Sequence, residues 1–278
     1  WQSLRQNLNH FARHGVFGDE KYTRQIAERL RDPELVRKAK AFPYQLMIAY
    51  SQASADVPNQ VREALQDAME IAIRNVPKFA GQVFVATDVS GSMHSAITGH
   101  RKGSTSAVRC VDVAALISAC VLRKNENAEV IPFKEDVIKG LQLNPRDTVM
   151  TNAKLLSSLP PGGTNCSAPL KELNRRGAKG DLVIFVSDNE SWVDVTKGRG
   201  TATMQEWTTF KQRNAQAKLV NIDLQPYSTT QAIETGRDDV MNIGGFSDAV
   251  FDVIDEFAKG NLGGTGEHWI KVIEAMRL

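Results

Sequence analysis

The chain has 278 residues, 42% hydrophobic and 24% charged, with 34 Lys and Arg against 32 Asp and Glu. That composition excludes a disordered, collagen-like or low-complexity polymer, and at about 150 residues per domain it predicts one large domain or two small ones. A formal charge of +2 is too near neutral for a protein held to nucleic acid by bulk electrostatics alone. No run approaches the roughly 18 apolar residues of a membrane span, and the opening WQSLRQNLNH lacks the apolar core of a signal peptide. The chain begins with Trp rather than Met, which reads as a trimmed or processed piece. Cys110, Cys120 and Cys166 form neither a disulfide framework nor a CxxC or Cys/His metal pattern. A reducing, cytoplasmic setting is therefore expected, with Cys110 and Cys120 as small buried residues on a helix.

The first 78 residues read as helices. Tyr22, Ile26, Ala27 and Leu30 keep helical spacing over 21–31. Pro33 and Pro43 punctuate short helices, and Pro58 precedes a longer one at 61–76. There Val61, Leu65, Ala68, Met69, Ala72, Ile73 and Val76 share one face. Helix after helix with short breaks implies an α-hairpin or a solenoid-like piece, although no clean repeat is present.

Near Pro77 the pattern changes. Strands are predicted at 82–87 (QVFVAT), 128–133 (AEVIPF), 137–141, 181–187 (DLVIFVS), 218–224 (KLVNIDL) and 239–243. Helices are predicted at 105–123, 148–158, 168–176, 203–216 and 247–258. The near-continuous apolar runs suit parallel strands buried on both faces. Strand and helix alternate from 82 to 258, which predicts a doubly wound α/β sheet with helices on both faces. The divisions expected are a helical segment at 1–78, the α/β domain at 79–259, and a Gly-rich joint with a short helix at 260–278.

In such sheets ligands bind beyond the C-terminal ends of the strands. Asp88-Val89-Ser90-Gly91-Ser92 follows the first predicted strand, and Ser187-Asp188-Asn189-Glu190 follows the fourth. Between them, ahead of a helix, lies Pro160-Pro161-Gly162-Gly163-Thr164-Asn165. Their donors are all oxygens, which favours a hard cation such as Mg²⁺, Mn²⁺ or Ca²⁺ over Zn²⁺. Gly91 lets a tight turn aim Ser90 and Ser92 together, and Gly162-Gly163 lets backbone come close and carry Thr164 across.

Asp88-x-Ser90-x-Ser92, Thr164 and Asp188 resemble the metal-ion-dependent adhesion site of von Willebrand factor A domains. That resemblance implies Ser90, Ser92 and Thr164 as ligands, directly or through water, with Asp88 and Asp188 orienting them and holding waters. So few anionic ligands leave the ion electrophilic, with an open position for a carboxylate or phosphate. ATDVSGSM, PPGGTNCSAPL, FVSDNESW and NIGGFSDAVFDVIDEF together resemble the C-terminal half of the Ro autoantigen (TROVE-module) family, and KAKAFPYQLMIAY at 38–50 resembles the last helices of its HEAT-like ring. The resemblance implies a non-catalytic ribonucleoprotein scaffold. Its expected partners are small noncoding Y-like RNA on the outside of the ring and misfolded or single-stranded RNA in the central hole. In bacteria it implies partnership with an exoribonuclease, and a role in RNA quality control or stress response. That ring uses many more helical residues than the roughly 80 present here, so its RNA contacts do not transfer to numbered residues.

Two basic clusters are candidates for phosphate contact, with solvated surface as the alternative. One is His100, Arg101 and Lys102 in the loop 94–103, and the other is Arg37, Lys38 and Lys40. Residues 1–80 hold 12 Lys and Arg against 9 Asp and Glu, a surplus too small to decide. Arg175, Arg176 and Lys179 read as charges suited to a helix C-terminus. Trp192 could stack a base or anchor its loop. His10 and His14, four apart, have no third ligand nearby in sequence. No P-loop, hydrolase elbow or dinucleotide fingerprint is present, and Asp88-x-Ser90 lacks the second aspartate of a haloacid-dehalogenase-type phosphatase. The alternatives to an RNA scaffold are a metal-dependent protein-interaction module without RNA binding and, last, a metal-dependent hydrolase.

Overall fold

The computed structural model describes residues 1–98, 108–188, 201–225, 237–247 and 249–260. They divide into two compact units: Trp1–Val76 with Ala96–Lys124 and Leu143–Ser158, and Pro77–Ser95 with Asn125–Gln142 and Leu159–Leu278.

The first unit is helical. It comprises α1 (Gln2–Gln6), α2 (Leu8–Arg13), α3 (Glu20–Leu30), α4 (Pro33–Lys38), α5 (Pro43–Gln52), α6 (Asn59–Ala72), α7 (Cys110–Lys124) and α8 (Val149–Ser157). Pro33 and Pro43 each open a helix, where the missing amide costs nothing. Asp32 caps α4 by accepting from the amides of Glu34 and Leu35. The core is formed by Ile26, Ala27 and Leu30 of α3, Leu46 and Met47 of α5, and Val61, Leu65, Ala68 and Met69 of α6. Glu70 pins α8 to α6 by accepting the Val149 amide at 2.7 Å, and it pairs with Arg123 of α7 at 3.5 Å. Cys110 and Cys120 are buried on α7, a helix apolar almost all round.

Among its described residues the second unit carries five strands, β1 (Val83–Asp88), β2 (Ala128–Phe133), β3 (Leu182–Ser187), β4 (Lys218–Asp223) and β5 (Val240–Gly244). Every pair is parallel and the order is β2-β1-β3-β4-β5. With them run α9 (Ala168–Arg175), α10 (Ala202–Arg213) and α11 (Val250–Ala258). Phe84, Phe133, Val183, Phe185 and Leu219 form one core with Leu170 and Leu173 of α9 and with Trp207 and Phe210 of α10. The alternate residues Val83, Val85, Ile184, Val220 and Ile222 are also buried, so both sheet faces are covered, as their apolar runs predicted.

The strand predicted at 137–141 is absent. Val137 makes only an isolated antiparallel bridge to Phe133, because the chain turns at once: Lys134 N donates to Asp136 O and Ile138 N to Pro132 O. Gly140 then takes φ +85°, outside extended backbone. The strand before Asp188 is therefore the third. The helix predicted from 105 starts at Cys110, and the one predicted to 76 stops at Ala72, with a 3₁₀ turn at Ile73–Asn75. The helix predicted near 267–277 lies outside the described residues. No helix among the described residues is long and apolar enough to cross a membrane.

Candidate metal centre

The strand order 2-1-3-4-5 places the topological switch point between β1 and β3, where a doubly wound sheet opens a crevice at its carboxyl edge. Asp88 ends β1 and Ser187 ends β3. Extending the register of Thr87 with Val186 sets these two side by side, and Ser187 is paired in turn with Asp223 of β4. The Ser187 hydroxyl donates to Asp88 Oδ2 at 2.6 Å, across 99 residues of sequence. The other oxygen, Oδ1, accepts the Ser90 amide at 2.9 Å, so the carboxylate closes its own turn. Ser90 Oγ and Ser92 Oγ then lie 3.3 Å apart on one side of that turn.

The loop bearing Thr164 is joined to this turn through backbone. Gly91 N donates to Gly162 O at 2.8 Å, and a Cβ on Gly91 would sit 3.3 Å from that oxygen. A side chain at 91 would press on that oxygen. Thr164 is 2% exposed. The structure therefore brings together Asp88, Ser90 and Ser92 directly, Thr164 through the Gly91–Gly162 contact, and Asp188 through its charge on Asp88.

Asp88 is fully buried and Asp188 is 2% exposed. Burial pushes the Asp88 carboxyl up to about 6. Hydrogen bonds from Ser187 and Ser90 oppose that rise, and the neighbouring Asp188 charge adds to it. No Lys, Arg or His is among these strongest influences on Asp88. A buried carboxylate raised by burial and by a second acid, with hydroxyls around it, is the environment a hard cation relieves. The donor set fits Mg²⁺, Mn²⁺ or Ca²⁺. Among the described residues no group of three or more His, Cys, Asp or Glu could hold a metal.

Two contributors were not singled out from sequence. Ser187 is the partner of Asp88, and only strand order shows it. Glu135, beyond β2, accepts the Gly163 amide at 2.6 Å. The rule that polar residues after strands matter points directly at Lys134-Glu135-Asp136, yet no familiar motif marks that run. Cys166 is buried beside the Thr164 loop, as a packing residue would be. Of the basic candidates, Arg37, Lys38 and Lys40 are exposed on and just after α4 in the helical unit, and Arg37 is held by Glu34 at 2.6 Å. His100, Arg101 and Lys102 lie outside the described residues, as do Asn189, Glu190 and Trp192. The His10 and His14 rings are tilted 50° to each other with centroids 4.2 Å apart.

The sequence profile of the Ro60 vWA domain matches residues 82–258. The chain is similar to the RNA-binding protein RO60 of Deinococcus radiodurans, at 26% identity over 272 residues, covering 93% of this chain and 49% of that protein. It is similar also to the RNA-binding protein RO60 of Caenorhabditis elegans, at 26% over 255 residues, covering 88% of this chain and 38% of that one. The crystal structure of the Deinococcus radiodurans RO (RSR) protein superposes with a TM-score of 0.76 at 25% identity, over 94% of this chain and 53% of that chain. The chain thus spans about half, or less, of the lengths of these relatives. The profile begins one residue before β1 and ends with the last residue of α11, so it takes in the whole parallel sheet and the strand-end loops that build the crevice, and by that match the chain belongs to the family of Ro60 vWA domains.

Proposed function

We propose that this chain is part of a Ro-type RNA-binding protein, non-catalytic, whose α/β domain holds a hard divalent cation at the β1/β3 switch point and offers it to a carboxylate or phosphate. The observation that carries the metal reading is the buried Asp88, tied to Ser187 and to the Ser90 turn. Ser90, Ser92 and Thr164 would hold the ion, with Asp88 and Asp188 orienting them and their waters. Such an ion supplies an electrophilic position for an anionic group. The relatives named as RNA-binding proteins support the RNA reading in its general form. Y-like, misfolded or single-stranded RNA as the target and an exoribonuclease as partner are the finer part of the proposal. The cytoplasm is the compartment proposed.

Titration calorimetry with Mg²⁺ and Mn²⁺ tests the metal site. Asp88→Ala should lower affinity about 10- to 100-fold, the usual cost of losing a group that orients metal ligands. Equal binding by both proteins would remove the assignment.

RNA binding by this chain alone should be weak, because its net charge is only +2 and its relatives are about twice as long. Filter binding across a salt series should give a slope of about −0.7 per phosphate neutralised on a single strand. Replacing His100, Arg101 and Lys102, or Arg37, Lys38 and Lys40, by Ala should flatten that slope without changing stability. The RNA should be recovered intact. Metal-dependent cleavage lost in Asp188→Ala would favour the hydrolase reading, and tight binding that resists salt would place the RNA site elsewhere on the chain.

A further inference from the structure

We infer that Glu135 is a positioning residue of the metal centre, holding the Gly162–Asn165 loop so that Thr164 faces the ion. The inference rests on the metal reading proposed above.

The segment after β2 grips this loop on both sides of Thr164. Before it, Glu135 Oε1 accepts the Gly163 amide at 2.6 Å. After it, Lys134 O accepts the Asn165 amide at 2.9 Å. Thr164 is thereby fixed between two hydrogen bonds from one short turn, and that turn is itself closed by the Lys134–Asp136 backbone bond.

The Glu135 side chain fits closely against both glycines of the loop. A Cβ on Gly162 would lie 2.5 Å from Glu135 Oε2, and one on Gly163 would lie 3.2 Å from Glu135 Cγ. The Glu135 chain therefore lies flat on the loop backbone, where any side chain at 162 would displace it. Gly162 O also receives the Gly91 amide at 2.8 Å. One chain of contacts thus runs from Glu135 through Gly163 and Gly162 to the turn bearing Ser90 and Ser92.

The Glu135 side chain is 55% exposed, so it adds little to the core, and its removal need not unfold the domain. What it constrains is the loop. A ligand hydroxyl held within a fraction of an ångström binds an ion better than one on a loose loop, and residues that hold metal ligands typically govern affinity by 10- to 100-fold.

The test compares Glu135→Ala and Glu135→Gln with the wild-type chain. Gln keeps an oxygen that can accept the Gly163 amide, and Ala does not. Mn²⁺ titration should show affinity reduced about tenfold or more in Glu135→Ala and near wild type in Glu135→Gln, at unchanged melting temperature. In metal-free protein, hydrogen exchange at the Gly163 amide should speed up in Glu135→Ala and be restored in Glu135→Gln. Unchanged exchange together with unchanged Mn²⁺ affinity in Glu135→Ala would overturn the inference. A wild-type chain that binds no divalent ion would overturn the metal reading and, with it, the link from Glu135 to metal affinity. The exchange result would still decide whether Glu135 orders the loop.

Discussion

Replacing Asp239 by Ala should destabilise the α/β unit by about 3 kcal/mol, the order expected when one acceptor is removed from a buried polar cluster. Asp239 lies just before β5 and is 8% exposed. Its Oδ2 accepts the indole N–H of Trp207, a fully buried core residue, at 3.0 Å. Arg237 grips both its oxygens at 2.8 and 2.7 Å, and Lys211 of α10 stands 3.5 Å away. Burial pushes the Asp239 carboxyl up, but the hydrogen bond and charge of Arg237, with Trp207 and Lys211, carry it below the usual range. Ala would leave a buried indole N–H without a partner and two cations side by side. Both cations keep some water contact, which holds the loss below that of a fully buried pair.

Thermal unfolding checks this, with a fall of roughly 6–12 °C expected for a domain of this size. Trp207→Phe keeps the ring and drops only the donor, so its loss should be smaller. The two changes together should cost less than their sum, because they share one bond. A lowered carboxyl stabilises the fold above its unfolded value, near 3.8 to 4, and loses that contribution as pH falls through the folded value. Acid should therefore narrow the gap between wild type and Asp239→Ala. A melting temperature for Asp239→Ala within 2 °C of wild type at pH 7 would show the cluster to be energetically idle.

The parts of the fold that were legible in sequence are those where one residue's neighbours are near in sequence. The apolar run 182–187 and the stripe on α6 declared their elements because burial imposes a period on the chain. The turn Asp88-x-Ser90-x-Ser92 was legible for the same reason, since its carboxylate, amide and hydroxyls all lie within five residues. Strand order is different. Nothing in the sequence says that β3 rather than β4 lies beside β1, so the Ser187–Asp88 bond could not be read, although both residues stood at strand ends. The Asp239–Trp207 pair, 32 residues apart, was hidden likewise. The segment 137–141 misled in the opposite sense. Its Val, Ile and Leu have the right composition for a strand, and the turn at Lys134–Asp136 brings Val137 back against Phe133, but pairing stops at that one bridge and Gly140, at φ +85°, leaves extended backbone. Glu135 stood in plain view after β2, and what concealed it was that its partner is a backbone amide.

At pH 7.5 and without metal, Asp88→Asn should be more stable than the wild type, and divalent ion should then remove most of that difference. Asp88 is buried with its carboxyl pushed up to about 6 from an ordinary 3.8. Between those values the folded chain binds more protons than the unfolded one, so stability falls as pH rises through the window of about 4 to 6. Above it the full penalty stands, on the order of 3 kcal/mol for a shift of about two units. Asn carries no charge to desolvate. Its carbonyl can accept the Ser90 amide, and its amide can donate to Ser187 Oγ, whose hydroxyl rotates to suit. The two proteins should converge near pH 4, where Asp88 is protonated in the folded state. With Mg²⁺ or Mn²⁺ added, the cation offsets the repulsion between Asp88 and Asp188, and the wild type gains about 2.7 kcal/mol when free ion stands 100-fold above its dissociation constant. Asp88→Asn should gain little. At pH 5 the proton competes with the ion for Asp88, and the wild-type gain should shrink. Denaturant melts at pH 4, 5 and 7.5, with and without metal, read all of this. If Asp88→Asn is the less stable protein at pH 7.5 without metal, Asp88 is held by something other than the hydroxyls seen here, and if metal raises both melts equally, the ion binds away from β1.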